Sequence, residues 1–241
     1  MECTLCKSEL DLSKSHILSE FIYEYNQLYD SNHRYQVVST NPNFKSKKPP
    51  KGIYEKLLCK KCEDHFRDLE DKASIQLKNL QDDTKKRASN FQFNTSNYKS
   101  FKLFQLSLLW RCSVSNRPEF QDFTLAQHEE NIRNMLLNNR PGDTSDYGFY
   151  AICTPKNIDS VKQLIIAPEF MGNMFGFDTV RLIYFGFFWI FIIANNAINF
   201  PSELRERLFS KSGILTVFVD NKGMDSFLLK IALELRKAGK I

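Results

Sequence analysis

Residues 57–80, LLCKKCEDHFRDLEDKASIQLKNL, decide how the first third of this 241-residue chain folds. Cys59-Lys60-Lys61-Cys62 sets two thiols on one side of a tight turn. Directly after it Phe66, Leu69, Ala73, Leu77 and Leu80 recur at the spacing of one helix face, so the cysteine pair opens a helix. Cys3-Thr4-Leu5-Cys6 is a second such turn. Two Cys-x-x-Cys turns supply the four sulfurs of a closed tetrahedral site, and that donor set suits a structural zinc ion. Metal binding contributes to folding in a module too small for much core of its own.

Outward from these pairs, Ser15-His16-Ile17 lies between the two half-sites. Ile17, Phe21, Tyr25 and Leu28 follow at helical spacing and predict a short helix after the histidine. Residues 31–52 contain Asn41-Pro42-Asn43 and Pro49-Pro50 without periodicity and predict a long loop. From Lys45 to Lys61 there are seven lysines against one acid, Glu55. Lys45, Lys47, Lys48, Lys51, Lys60 and Lys61 are therefore candidate contacts for the phosphates of a nucleic acid; the plainer reading is a solvated loop.

The polar stretch 81–100, with Lys85-Lys86-Arg87, reads as a linker between a zinc-binding module (1–80) and a second domain (101–241). Residues 101–115, FKLFQLSLLWRCSVS, predict a buried helix, with Arg111 salt-bridged inside it, and 125–138 an amphipathic one that stops at Arg140-Pro141-Gly142-Asp143. Strands are expected over 149–153, 164–167, 180–185, 187–193 and 214–219. Asp220-Asn221-Lys222-Gly223 reads as a turn before a closing amphipathic helix over 226–238. The fold class is α+β, with a mostly antiparallel sheet in the second half.

The apolar fraction of 42% and the 21 phenylalanines support a sizeable core and exclude a disordered chain. Cys112 and Cys153, alone among apolar residues, read as buried small hydrophobes. Free thiols, Cys-x-x-Cys turns and the lack of a basic-then-apolar leader before Cys3 point to a reducing cytoplasm. The apolar run 182–194, LIYFGFFWIFIIA, is shorter than the roughly 20 residues of a membrane-spanning helix and reads as two strands meeting near Gly186.

The frame Cys3-x-x-Cys6, Ser15-His16-Ile17, Leu57-Leu58-Cys59-x-x-Cys62-Glu63 resembles zinc-stabilised HNH endonucleases, with their ββα-metal, treble-clef fold. The likeness covers about residues 1–70. It is closest to bacterial proteins with a Ser-His-Ile strand and Leu-Leu-Cys-x-x-Cys-Glu, and in that group it extends through Ser107-Leu108-Leu109-Trp110-Arg111. The resemblance implies that His16 is the general base and that a Mg²⁺ or Mn²⁺ ion assists phosphodiester hydrolysis, in settings such as phage defence or restriction. The strand acid and the histidine after the last cysteine, which hold that ion in the family, correspond here to Ser15 and Glu63. Tyr54 and Glu55 stand where the central Asn belongs. Glu63 can still ligate through oxygen, and Glu55 or His65 are further candidates, although His65 lies on another helix face.

A rival of a different class is a catalytically lost treble-clef module that binds nucleic acid or a protein partner. In either case the second domain, which carries no chemical motif of its own, would supply target choice or self-association. The bland alternatives are a hydrogen-bonded His16, a Glu63 favoured by the helix dipole, and solvent-exposed His33 and His65.

Overall fold

The computed structural model describes residues 1–37, 47–155, 158–197 and 199–237, with positions 159, 160, 223–225 and 228 described by backbone alone. Lys45 lies outside the described residues. The N-terminal cysteine turn leads into β1 (Leu12–His16), a strand that ends on the histidine, and Ser19 precedes α1 (Glu20–Tyr25). β2 (Tyr54–Cys59) pairs antiparallel with β1 and runs straight into α2 (Lys60–Thr84), whose first turn carries Cys62 and Glu63. The two strands and the helix thus bring both cysteine turns and His16 to one end of the chain's longest helix.

Beyond α2 come β3 (Phe91–Asn94), α3 (Tyr98–Val114), a single 3-10 turn at Ala126–His128 and α4 (Glu129–Leu137). Then follow β4 (Phe149–Cys153), α5 (Ile158–Val161), β5 (Ile166–Met174), β6 (Phe177–Tyr184), β7 (Phe187–Ile193), α6 (Ser202–Arg205), β8 (Ile214–Val219) and α7 (Asn221–Lys237). The six strands from β3 onward form one sheet in the order β3-β8-β4-β7-β6-β5, antiparallel except where β4 meets β8. The expected α+β class and mostly antiparallel sheet are observed.

β7 is buried along its whole length, because helices cover the sheet on both faces. On one face α3 is sheathed in apolar neighbours, and Tyr184 donates its hydroxyl proton to Gln105 Oε1 at 2.9 Å. On the other, Val161 of α5, Leu204 of α6 and Phe227 of α7 pack against Tyr150, Phe188 and Ile190. The apolar run 182–194 is the hairpin of β6 and β7, turning through Phe185 (φ 59°) and Gly186 (φ 87°). Positive φ at both turn residues gives the twist that a two-residue hairpin needs. No helix among the described residues is long and apolar enough to cross a membrane.

Three expectations need correction. The segment 81–100 is not a linker: it holds the last turn of α2, an edge strand of the main sheet and the start of α3. Gln81 is buried and donates Nε2–H to the Phe185 carbonyl at 3.0 Å, and a single apolar cluster runs from Cys3 to Val217. Module and second domain therefore share one core. The Asp220–Gly223 turn is instead the opening of α7, which begins at Asn221. The strand expected over 164–167 runs on to Met174, pairing with β6 through two irregularities in register.

Candidate metal centre and adjoining cleft

Cys3-Thr4-Leu5-Cys6 is closed into a knuckle by the Lys7 amide bonding back to the Cys3 carbonyl at 2.8 Å, with Lys7 in the left-handed region (φ 60°). Thr4 N–H anchors it to the Leu57 carbonyl of β2 at 3.0 Å, and Arg133 of α4 donates to the Leu5 carbonyl. These contacts set the knuckle against the second pair. The sulfurs of Cys3, Cys6, Cys59 and Cys62 all lie within 4.8 Å of one another, with Cys6 and Cys59 3.9 Å apart. A tetrahedral zinc with Zn–S near 2.3 Å requires sulfurs about 3.8 Å apart. The Cys59 amide donates to Cys3 Sγ at 3.3 Å, as it would to a metal-bound thiolate.

The electrostatics of the four thiols agree with this fit. Burial raises the Cys6 thiol, but hydrogen bonds from Ser8 and the neighbouring thiols outweigh it and bring it down to about 6. Burial, with the adjacent thiols, pushes Cys62 well up, and burial raises Cys3 as well. One thiolate forms at the expense of its neighbours, whereas a divalent cation allows all four. Four cysteines placed this way can hold a metal ion such as zinc.

Beside the knuckles lies an open cleft of about 530 Å³. His16 reaches it from the end of β1, Glu20 from α1, and Glu63, Arg67, Glu70 and Asp71 from one face of α2. His16 Nε2 sits 2.7 Å from the Lys51 carbonyl oxygen. A carbonyl only accepts, so Nε2 carries the proton and Nδ1 is the basic nitrogen of the neutral ring. Gly52 (φ +79°) permits this approach: a Cβ there would meet Tyr23 Cε2 at 3.0 Å and His16 Cδ2 at 3.3 Å. Buried Ser15 donates its hydroxyl to Glu63 Oε2 at 2.5 Å, which joins β1 to the first turn of α2.

Arg111 of α3 holds this corner together. Its side chain is 1% exposed and pairs with Glu70 at 2.9 Å. Its guanidinium also donates to the His16 carbonyl at 2.7 Å and to Ser19 Oγ at 3.3 Å. The expected salt bridge is thus present, and it ties the cleft to the buried helix of the second half.

Other candidates point elsewhere. Both carboxylate oxygens of Glu55 are engaged at the end of α3, by Ser115 Oγ at 2.8 Å and by Asn116 N and Nδ2 at 3.0 and 3.1 Å, so Glu55 fastens β2 to that loop. His65 is half-buried, not solvent-exposed, and its Nε2 faces the Leu136 carbonyl of α4 at 3.2 Å, away from the cleft. Lys60 lines the cleft while paired with Asp64, and Lys51 lines a smaller recess adjoining it. Lys47 pairs with Glu119 at 3.7 Å, while Lys48 and Lys61 are exposed.

Sequence reading missed Lys14, Glu20, Arg67, Glu70 and Asp71 in the cleft. Part of the signal was there: 63, 67, 70 and 71 share one face of α2, and Lys14 lies two residues before His16 on a strand. Among the described residues the side-chain groups tight enough for a cation are the four cysteines and Glu20-Glu24-His33; neither includes His16 or Glu63. No family model, no curated protein and no solved structure matches the chain.

Proposed function

We propose that the chain is a zinc-stabilised, HNH-like nuclease that hydrolyses phosphodiester bonds of DNA or RNA, with β1, β2 and α2 as a treble-clef module. The observation that carries this reading is His16: its ring, fixed through Nε2 on Lys51, lines the same cleft as Glu63. The Nδ1, without a hydrogen bond among the described residues, is suited to take a proton from water as it attacks phosphorus. Glu63, whose Oε1 has no hydrogen bond among the described residues, is the residue that would hold Mg²⁺ or Mn²⁺ through oxygen. Bound there, such an ion supplies charge stabilisation at the scissile phosphate. One carboxylate suffices when waters and substrate oxygens complete the shell, as is usual for Mg²⁺. Lys14, Lys51, Lys60 and Arg67 surround the cleft as cations for the flanking phosphates.

The test is cleavage of plasmid and of structured RNA with Mg²⁺ or Mn²⁺. His16→Ala is expected to lose roughly a hundredfold or more, the usual contribution of a general base, while zinc content stays unchanged. Equal traces of cleavage in wild type and variant would sink the enzyme reading.

A second reading is favoured by the Ser15–Glu63 contact and by the absence, among the described residues, of a three-ligand cluster that includes His16 or Glu63. On that reading the module binds nucleic acid, or a protein partner, without cutting. Its mark is nucleic-acid affinity that His16→Ala leaves intact in the absence of any cleavage.

A further inference from the structure

Glu20 and Glu24 stand four residues apart on α1, so their side chains leave the same face of the helix. The chain then returns to that face at His33. Asp30 shapes the return: its carboxylate accepts the Asn32 and Arg34 amides at 2.9 and 3.0 Å. The imidazole of His33 stacks on Tyr29, with ring centroids 4.2 Å apart. One ligand atom each from Glu20, Glu24 and His33 then lies within 4.8 Å of the other two.

Two carboxylates so close repel one another, and among the described residues no side-chain hydrogen bond or ion pair engages any of the three. The ring beside them points the same way. The Tyr29 hydroxyl is buried without a partner among the described residues. A cation on the carboxylates would relieve the repulsion.

We propose that Glu20, Glu24 and His33 form a second divalent-cation site, separate from the four cysteines. Two carboxylates and an imidazole offer the oxygen and nitrogen donors that a first-row divalent ion such as Mn²⁺ accepts. The site adjoins the cleft, since Glu20 lines both. It is also linked to His16 through one residue: Lys51 donates its amide to the His33 carbonyl at 3.3 Å and accepts His16 Nε2–H on its own carbonyl. Filling the site would fix the His33 carbonyl that holds Lys51, and through Lys51 the tautomer of His16. That link to catalysis rests on the nuclease reading; cation binding itself does not.

The test uses the zinc-loaded full chain and Mn²⁺ alone, with free Mn²⁺ followed by electron paramagnetic resonance. Wild type is expected to bind Mn²⁺ saturably, and Glu24→Gln and His33→Ala each to remove one site or weaken it at least about tenfold. Glu63→Gln leaves that site in place. Both Glu24 and His33 are exposed, so zinc content and circular dichroism should match wild type. Binding that Glu63→Gln abolishes and Glu24→Gln spares would put the ion in the cleft and overturn the proposal. So would the lack of saturable binding below about 1 mM. A chain that binds Mn²⁺ through Glu24 and His33 but never cleaves nucleic acid sinks the nuclease reading and leaves this site standing.

Discussion

Arg111→Met removes the guanidinium while keeping the length and apolar bulk of the side chain. Arg111 is 1% exposed and Glu70 20% exposed, so the loss leaves a carboxylate largely buried without its cation. Breaking a buried ion pair from one side costs about 3–5 kcal/mol. Glu70 keeps the Ser19 hydroxyl at 2.7 Å and part of its surface stays wet, which favours the lower end, about 3 kcal/mol. The His16 carbonyl and Ser19 Oγ also lose a donor. In a chain of this size such a loss lowers the melting midpoint by roughly 6–12 °C. The assay is urea and thermal unfolding of the zinc-loaded protein, with a second variant, Arg111→Met/Glu70→Gln, that removes the orphaned charge. The double variant is expected to regain about 1–2 kcal/mol of the loss, the coupling typical of contacting groups. A single-variant loss below about 1 kcal/mol, or a double variant no more stable than the single, would refute the idea that this ion pair clamps the cleft to α3.

Two further perturbations test the metal centre and the core. Cys59→Ser is expected to lower bound zinc from about one ion per chain to none and to destabilise the shared core, because metal affinity here is folding free energy; metal analysis that finds full zinc in the variant would contradict the four-cysteine site. Lys102 of α3 is buried with Tyr98 and the Asp143 carbonyl as partners, and burial brings its ammonium down to about 7, although Asp146 and Asp143 oppose this. Its unfolded value is the ordinary 10.5, so between these two values the unfolded chain binds the extra proton and stability rises with pH. From about pH 7.5 to about pH 9.5 the wild type should gain roughly 2 kcal/mol relative to Lys102→Met, read from urea midpoints; parallel pH profiles would show that Lys102 is not the titrating group.

The parts legible in the sequence were those with a strong local period or a strict chemical donor set. The Phe66–Leu80 stripe gave away α2, and its five apolar positions are buried as expected, joined by Gln76, Gln81 and Thr84. Phe149–Cys153, Phe187–Ile193 and Ile214–Val219 are strands at the expected bounds. β3 was missed because Phe91-Gln92-Phe93-Asn94 is short and follows a polar stretch; its pairing with β8, more than a hundred residues later, makes it a strand. Helix α7 starts at Asn221, whose Oδ1 accepts the Thr154 hydroxyl at 2.8 Å, a contact between distant segments that a local turn signal does not contain. For the cleft, His16 and Glu63 were legible as candidates, whereas Glu55 and His65 turned to neighbours on α3 and α4 that no local pattern reveals.

By itself, the sequence determined the four-cysteine donor set, the helix that the second pair opens and the alternation of apolar strands, because thiol spacing and hydrophobic period are local properties of a chain. Only the tertiary structure decided that the expected linker belongs to the sheet, that Arg111 reaches across ninety-five positions to the carbonyl of His16, and that His33 comes back to Glu20 and Glu24. These are meetings of residues distant in sequence, settled when apolar surface from both halves is buried in one core.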